Sequence, residues 1–300
     1  MTIFAILLGA ILIVITLRDI FNSLFHPLGS ATVSRLLVVK PLWHVFRRLG
    51  RYHYAVLESA GPSMLLTVIG GWIVLLVSGW ALIYWPHLSS EFLVASGLSP
   101  SAHGGFIDAL YLSMTTLTTL GYGDITPTNE WLRIIAPLEA MVGFGLFTVS
   151  LSTVVSVYQV LRRRRTLALE ITLLRERESI AGLGITQMDP MVAQQILSSL
   201  SLQLNTVWND LLQFPITYYF TSSDSQTELS AAMPYLLSLV EEGDREDCPP
   251  EVRFGASMLR GTIHAFTALL TRNFLDLPMS TPAKEVLAAY AHDHLQVPST

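Results

Sequence analysis

The chain carries Thr116 and then an unbroken run Thr119, Leu120, Gly121, Tyr122, Gly123 and Asp124, followed by Ile125, Thr126 and Pro127. No nucleophile with a base beside it, no paired carboxylates and no metal cluster accompany it, so the chemistry on offer belongs to the backbone. Glycines at 121 and 123 open backbone angles that other residues avoid, and successive carbonyl oxygens can then point to one side. Oxygens aimed at one axis replace the water around a partly dehydrated cation. The apolar, threonine-rich stretch just before, residues 106 to 118, has 13 residues, short of the roughly 20 a helix needs to cross a bilayer. A short helix that enters a membrane and returns as non-helical backbone is tolerated only where that backbone is buried in protein or lines a water-filled path. The pattern demands a pore.

The rest of the composition agrees. Of 300 residues 51% are hydrophobic and only 14% charged, where a soluble globule carries about 25% charge. Residues 62 to 85 hold no Asp, Glu, Lys or Arg, and residues 134 to 161 hold only Glu139. Both runs are long enough to span a membrane as helix. A soluble cytosolic enzyme is thereby excluded. Residues 1 to 165 have a net charge of +4 and residues 166 to 300 one of −9, together the −5 of the chain. The front half reads as a basic-flanked membrane domain and the rest as an acidic polar domain. An acidic tail repels phosphate, so nucleic acid is not an expected partner. One cysteine, Cys248, excludes an intramolecular disulfide framework and a thiolate metal site.

Residues 1 to 25 read as an N-terminal transmembrane helix rather than a cleaved signal, since no positive charge precedes the apolar part. Residues 26 to 61, with Arg35, Lys40, Arg47, Arg48 and Arg51, read as a basic cytoplasmic or interfacial linker. Only Arg48 and Arg51 keep three-residue spacing, so a voltage sensor is not expected. Trp80, Tyr84 and Trp85 at the end of the 62 to 85 span suit an interfacial aromatic belt. The span 132 to 161 runs into Arg162, Arg163, Arg164 and Arg165, which places that end in the cytoplasm by the positive-inside rule. It follows that the N-terminus is external and the C-terminal domain cytoplasmic, in a multi-pass protein of the cell (inner or plasma) membrane.

The run from Thr116 to Asp124 resembles the selectivity filter of potassium channels, in which four subunits each contribute T-V-G-Y-G. Here the pattern is T-x-x-T-x-G-Y-G, with Leu120 in place of the usual Val or Ile. Gly143 lies 20 residues after Gly123, where simple bacterial channels of this family bend the inner helix. The resemblance covers about residues 62 to 161: an outer helix 62 to 85, a pore helix 106 to 118, the filter 119 to 124 and an inner helix 132 to 161. It implies that backbone oxygens of Thr119, Leu120, Gly121 and Tyr122, with the Thr119 hydroxyl, hold potassium, that Gly123 completes the filter, and that Thr116, Tyr111, Asp124 and Glu139 support it. It implies no cofactor beyond the permeant ions. A cage of carbonyls on one axis needs four loops, so the expected assembly is a homotetramer in the lipid bilayer.

Several residues keep two readings. Tyr111 suits a filter support or an interface aromatic, and Asp124 a brace of the outer mouth or a loop cap. Glu139, an ionisable residue deep in a span, is either a structural hydrogen-bonding group or an ion ligand. Gly143 and Gly145 serve as a hinge or as small residues for close packing. Phe147, Leu151 and Val155 form either a dewetting gate or a lipid-facing stripe.

Beyond residue 161 helix signals dominate. Asp189 and Pro190 start one helix, Ser225 to Glu228 has capping-box spacing, and Thr281 with Pro282 opens a last one. Phe214 to Phe220 is the one strand-like run. The triplet His292, Asp293 and His294 reads as a solvated turn. Residues 162 to 300 are expected to be a helical cytoplasmic regulatory domain whose ligand or partner is not legible. The whole is an all-α membrane protein without enzymatic activity, a potassium-selective channel not gated by a voltage sensor. A nonselective cation channel and a membrane-anchored signalling or scaffold protein with a vestigial pore are the alternatives.

Overall fold

The computed structural model describes residues 2–25, 38–50, 52–94, 105–275 and 277–294. The expectations for Arg35 and Arg51 lie outside the described residues. Helices α1 (Thr2–Phe25), α2 (Lys40–Gly50), α3 (Tyr54–Glu58), α4 (Ala60–Tyr84), α5 (Leu88–Glu91), α6 (Phe106–Leu117), α7 (Glu130–Ala181), α8 (Pro190–Gln213), α9 (Leu229–Gly243), α10 (Pro250–Asn273) and α11 (Ala283–Asp293) account for nearly all of it. Two three-residue strands, β1 (Phe92–Val94) and β2 (Ile125–Pro127), pair antiparallel with Leu93 opposite Thr126. The protein is an all-α membrane protein: α1, the stretch Ala60–Glu91 and α7 are long and apolar enough to cross a bilayer. The chain divides into two compact units, one of residues 1–26, 32–34 and 66–156 and the other of 27–31, 35–65 and 157–300.

In the first unit α1 buries Ala5, Gly9, Ile13, Thr16 and Asp19, a spacing that keeps them on one helical face. A side chain on Gly9 would collide with the carbonyl oxygen of Gly79 in α4, and one on Gly79 would come within 2.8 Å of Ile13 Cγ1. The two helices therefore cross where both have only hydrogen for a side chain, as small residues allow in membranes. Ten residues further along α1, the buried Asp19 carboxylate accepts a hydrogen bond from Trp72 Nε1 at 2.9 Å. Glu139 is thus not alone as an ionisable residue within a membrane helix.

Apolar side chains from α4, α5, α6, β2 and α7 meet in one core, among them Leu76, Leu88, Leu112, Ile125 and Leu132. Trp80 and Tyr84 belong to this core and not to an interfacial belt, while Trp85 is half exposed. The reason for Tyr84 is chemical: its hydroxyl finds a carboxylate inside the unit.

The second unit is helical, and its starts obey the sequence signals in part. Asp189 caps α8 by accepting from Met191 N at 2.9 Å, and Pro282 precedes α11. Glu228 forms no capping box; its buried carboxylate accepts from Ser222 N at 2.9 Å and lies 3.8 Å from Arg164. Residues Pro215–Tyr219 form a 3-10 turn instead of a strand. Arg164 explains the difference, since its guanidinium donates to the carbonyls of Thr217 in the middle of the turn and Phe220 just after it. Beside it Arg163 grips the Asp210 carboxylate through Nε at 2.7 Å and Nη2 at 2.6 Å.

The unit also takes in α2. The Asp293 carboxylate is buried and accepts from Trp43 Nε1 at 3.1 Å and from the Tyr218 hydroxyl at 2.7 Å, and Arg47 Nη1 lies 2.8 Å from it. His294 is fully buried, with its ring nitrogens 3.1 Å from the Tyr290 carbonyl and 2.7 Å from the Tyr218 carbonyl. Residues 293 and 294 are accordingly core, not a solvated turn; a polar sequence near a helix end hides the partners that α2 brings from 250 positions away. Burial, with Asp293 beside it, pushes the Tyr218 phenol well above its usual value, so it stays a neutral donor.

Replacing Asp293 by Ala leaves the Trp43 indole N–H and the Tyr218 hydroxyl buried without their acceptor, at roughly 1–3 kcal/mol each. Thermal unfolding followed by tryptophan fluorescence is expected to show a large loss for Asp293→Ala and a smaller one for Asp293→Asn, which retains an acceptor.

Candidate functional site

The run from Thr116 to Asp124 follows directly on α6. That helix starts where the Asp108 carboxylate accepts from Gly105 N at 3.1 Å. It ends at Thr118, whose N bonds the Met114 carbonyl at 3.1 Å and whose hydroxyl bonds the same carbonyl at 2.7 Å. The residue after it turns left-handed: Thr119 has φ +59°, the sole non-glycine among the described residues with positive φ. Gly121 and Gly123 follow at +46° and +77°. Every second residue from 119 to 123 is therefore left-handed, and the glycines take two of the three positions because the conformation costs an L side chain about 1–2 kcal/mol.

Hydrogen bonds fix which way this backbone faces. Thr119 N donates to the Thr116 carbonyl at 2.9 Å, and Leu120 N and Gly121 N both donate to the Thr115 carbonyl, at 2.9 and 3.1 Å. In a trans peptide the N–H and the preceding C=O point in opposite directions, and no described peptide bond is cis. The carbonyls of Thr119 and Leu120 hence point away from α6. Among the described hydrogen bonds none is accepted by a carbonyl of residues 119 to 123. Thr115, whose carbonyl carries two of these bonds, was not singled out in the sequence, because any residue type can offer a carbonyl.

The outer end of the run is bolted back to α6. The Tyr111 hydroxyl donates to Asp124 Oδ2 at 2.6 Å, and Asp124 Oδ1 accepts from Ile125 N at 3.1 Å. Asp124 therefore ties the loop to α6 and also bonds the first backbone N–H of β2. Tyr122 and Leu120 are exposed, at 68% and 56%. Just beyond, β2 pairs with β1, and the Glu91 carbonyl accepts from Thr128 N at 2.9 Å.

Glu139 lies beneath this loop in α7 and is completely buried. Its Oε1 accepts from Ser113 Oγ at 2.6 Å and its Oε2 from the Tyr84 hydroxyl at 2.7 Å. One carboxylate thus joins α4, α6 and α7. Ser113 carries no signal in the sequence and Tyr84 reads there only as an interface aromatic; a lone intramembrane carboxylate signals that donors exist but not which ones. One turn along, Gly143 is buried where a Cβ would overlap the Leu117 carbonyl, whereas a Cβ on Gly145 would meet nothing within 4 Å. Helix α7 passes Pro137, Gly143 and Gly145 unbroken. Phe147, Leu151 and Val155 are exposed.

Residues 64–160 match the family model described as "Ion channel". An uncharacterized membrane protein of Bacillus subtilis, YdjJ, is 26% identical over 252 residues, covering 82% of this chain and 72% of that protein. The calcium-gated potassium channel TvoK of Thermoplasma volcanium is 30% identical over 103 residues, 34% of this chain and 27% of the channel. Two-pore potassium channel 5 of Arabidopsis thaliana is 44% identical over 50 residues, 17% of this chain and 12% of the channel. The chain thus spans only a minor part of the length of these potassium channels. No solved structure matches significantly. Fold, site and matches thus agree on an ion-channel domain at residues 64–160. Potassium channels are among the relatives that this stretch resembles.

Two sets of variants test the packing around the loop. Gly143→Ala is expected to destabilise by about 1–3 kcal/mol as an overpacked site, while Gly145→Ala is expected to unfold like the parent. Glu139→Leu removes the acceptor of two buried hydroxyls, each worth roughly 1–3 kcal/mol; thermal unfolding in detergent should rank it well below Glu139→Gln.

Proposed function

We propose that this protein is one subunit of a homotetrameric, potassium-selective channel whose ions pass between the backbone oxygens of Thr119, Leu120, Gly121 and Tyr122. The observation that carries the reading is the pair of donors from Leu120 and Gly121 to Thr115, which turns the neighbouring carbonyls away from α6 and leaves them for a cation. Four such loops around one axis would supply the ligands that one loop cannot, and would cover the Leu120 side chain. The end of α6 carries about half a negative charge and favours a cation before it.

In this reading residues 62–161 form the pore domain and 162–300 a helical domain that sets gating, with no voltage sensor. Thr116, Tyr111, Asp124 and Glu139 hold the filter, and Gly143, where the inner helix runs against the end of the pore helix, is also the place for a bend. The topology follows from Arg162 to Arg165: the part of α7 beyond its apolar run is cytoplasmic, and the N-terminus is external.

Protein reconstituted in liposomes should give a reversal potential that follows the potassium gradient, and Gly121→Ala, which forces a side chain into a left-handed position, should abolish the flux. Equal permeation by sodium would make it a nonselective cation channel. If the protein's cellular effect survives Gly121→Ala without flux, a scaffold role replaces the channel reading.

A further inference from the structure

The four consecutive arginines do not share one task. Arg163 is committed to Asp210, and Arg164 to the carbonyls of Thr217 and Phe220. The Arg162 and Arg165 side chains are exposed and make no hydrogen bond or salt bridge among the described residues, although the charge of Arg165 helps to lower the Glu58 carboxyl. Three positions apart, they lie on one side of α7, and both line a cavity of about 600 Å³ within the second unit, in the size range of small-molecule sites.

The other walls divide by polarity. Tyr158 and Phe220 present aromatic surface, and Thr221 and Ser222 present hydroxyls. Thr221 is only 6% exposed, and its Oγ1 has no hydrogen-bond partner. A buried hydroxyl without a partner is a cost that a bound acceptor removes. Glu58 is the acidic lining group, but its carboxylate is engaged by Ser223 N at 2.6 Å, a bond that holds it below the usual carboxylate range. The lining therefore keeps a net positive charge with donors left over. Pro62 lies near the start of the apolar stretch Ala60–Glu91 and Tyr158 within α7, and in the topology proposed above both fall near the cytoplasmic ends of the apolar runs 62–85 and 132–161.

We propose that this cavity binds a phosphate ester, with Arg162 and Arg165 on the phosphate oxygens, Thr221 completing the hydrogen bonds, and Tyr158 and Phe220 against the attached apolar part. Guanidinium groups suit phosphate because they donate in a planar fork. The phosphate can come from an anionic phospholipid or from solution.

The full chain in detergent would be titrated with dioctanoyl phosphatidylglycerol, with dioctanoylglycerol, which has the same tails and no phosphate, and with inorganic phosphate. Native mass spectrometry would read binding, so that the outcome is independent of ion flux. Saturable binding of the phospholipid and not of dioctanoylglycerol is expected, weakened about tenfold or more in Arg162→Gln/Arg165→Gln by loss of charge-assisted bonds. Thr221→Val, which removes a hydroxyl that holds no partner in the fold, is expected to weaken it by roughly threefold. Inorganic phosphate binding as tightly as the phospholipid would support the site and assign it to a soluble ligand. Dioctanoylglycerol binding as tightly as the phospholipid, unchanged binding in the double variant, or no saturable binding of either phosphate probe would overturn the proposal.

Discussion

A carboxylate placed inside a membrane helix is tolerated only where donors surround it, and the contact that Glu139 makes with Ser113 and Tyr84 organises the first unit. Ser113 belongs to the short helix that cannot cross the membrane, so the carboxylate sets the depth and rotation of that helix. The helix in turn offers the Thr115 carbonyl to which Leu120 and Gly121 are tied. Every step from the buried acid to the row of outward carbonyls is a hydrogen bond between neighbouring elements. None of the residues from 115 to 123, which hold and carry the outward carbonyls, is charged.

The segment from Thr116 to Asp124 was legible because its physics is local. Positive φ at Gly121 and Gly123 follows from glycine itself, and the short apolar helix before them ends within one residue of its expected limit. Thr119 was legible as a ligand candidate but not as a left-handed residue, since nothing in its side chain favours that conformation. What the sequence withheld is pairing at a distance. Tyr84 is 55 positions from Glu139 and Trp72 is 53 from Asp19, and no periodicity links such residues. For the same reason Trp80 and Tyr84 read as interfacial aromatics: composition marks them as amphipathic, and only the fold says which way they turn.

In the second unit the same limit worked against charge patterns. Four arginines in a row signal a cytoplasmic helix end, yet the two middle ones are spent on a carboxylate and on a 3-10 turn. The turn itself reads as strand-like because its apolar, aromatic run carries no mark of the guanidinium that holds it. The His292 to His294 triplet misled in the opposite sense: residues that are polar and near a helix end belong to the core once Trp43 and Tyr218 supply their partners.

Helix α1 meets α4 at two places on one face, Gly9 against Gly79 and Asp19 against Trp72, about 15 Å apart along its axis at 1.5 Å per residue. A contact at one point would leave the helix free to spin or slide. Two points separated along the axis, one steric and one polar, remove both freedoms, because turning α1 takes the carboxylate away from the indole and sliding it drives a larger side chain into the glycine crossing. The N-terminal helix is therefore no interchangeable apolar peg but a stave keyed to its neighbour, and any movement of α4 carries α1 with it.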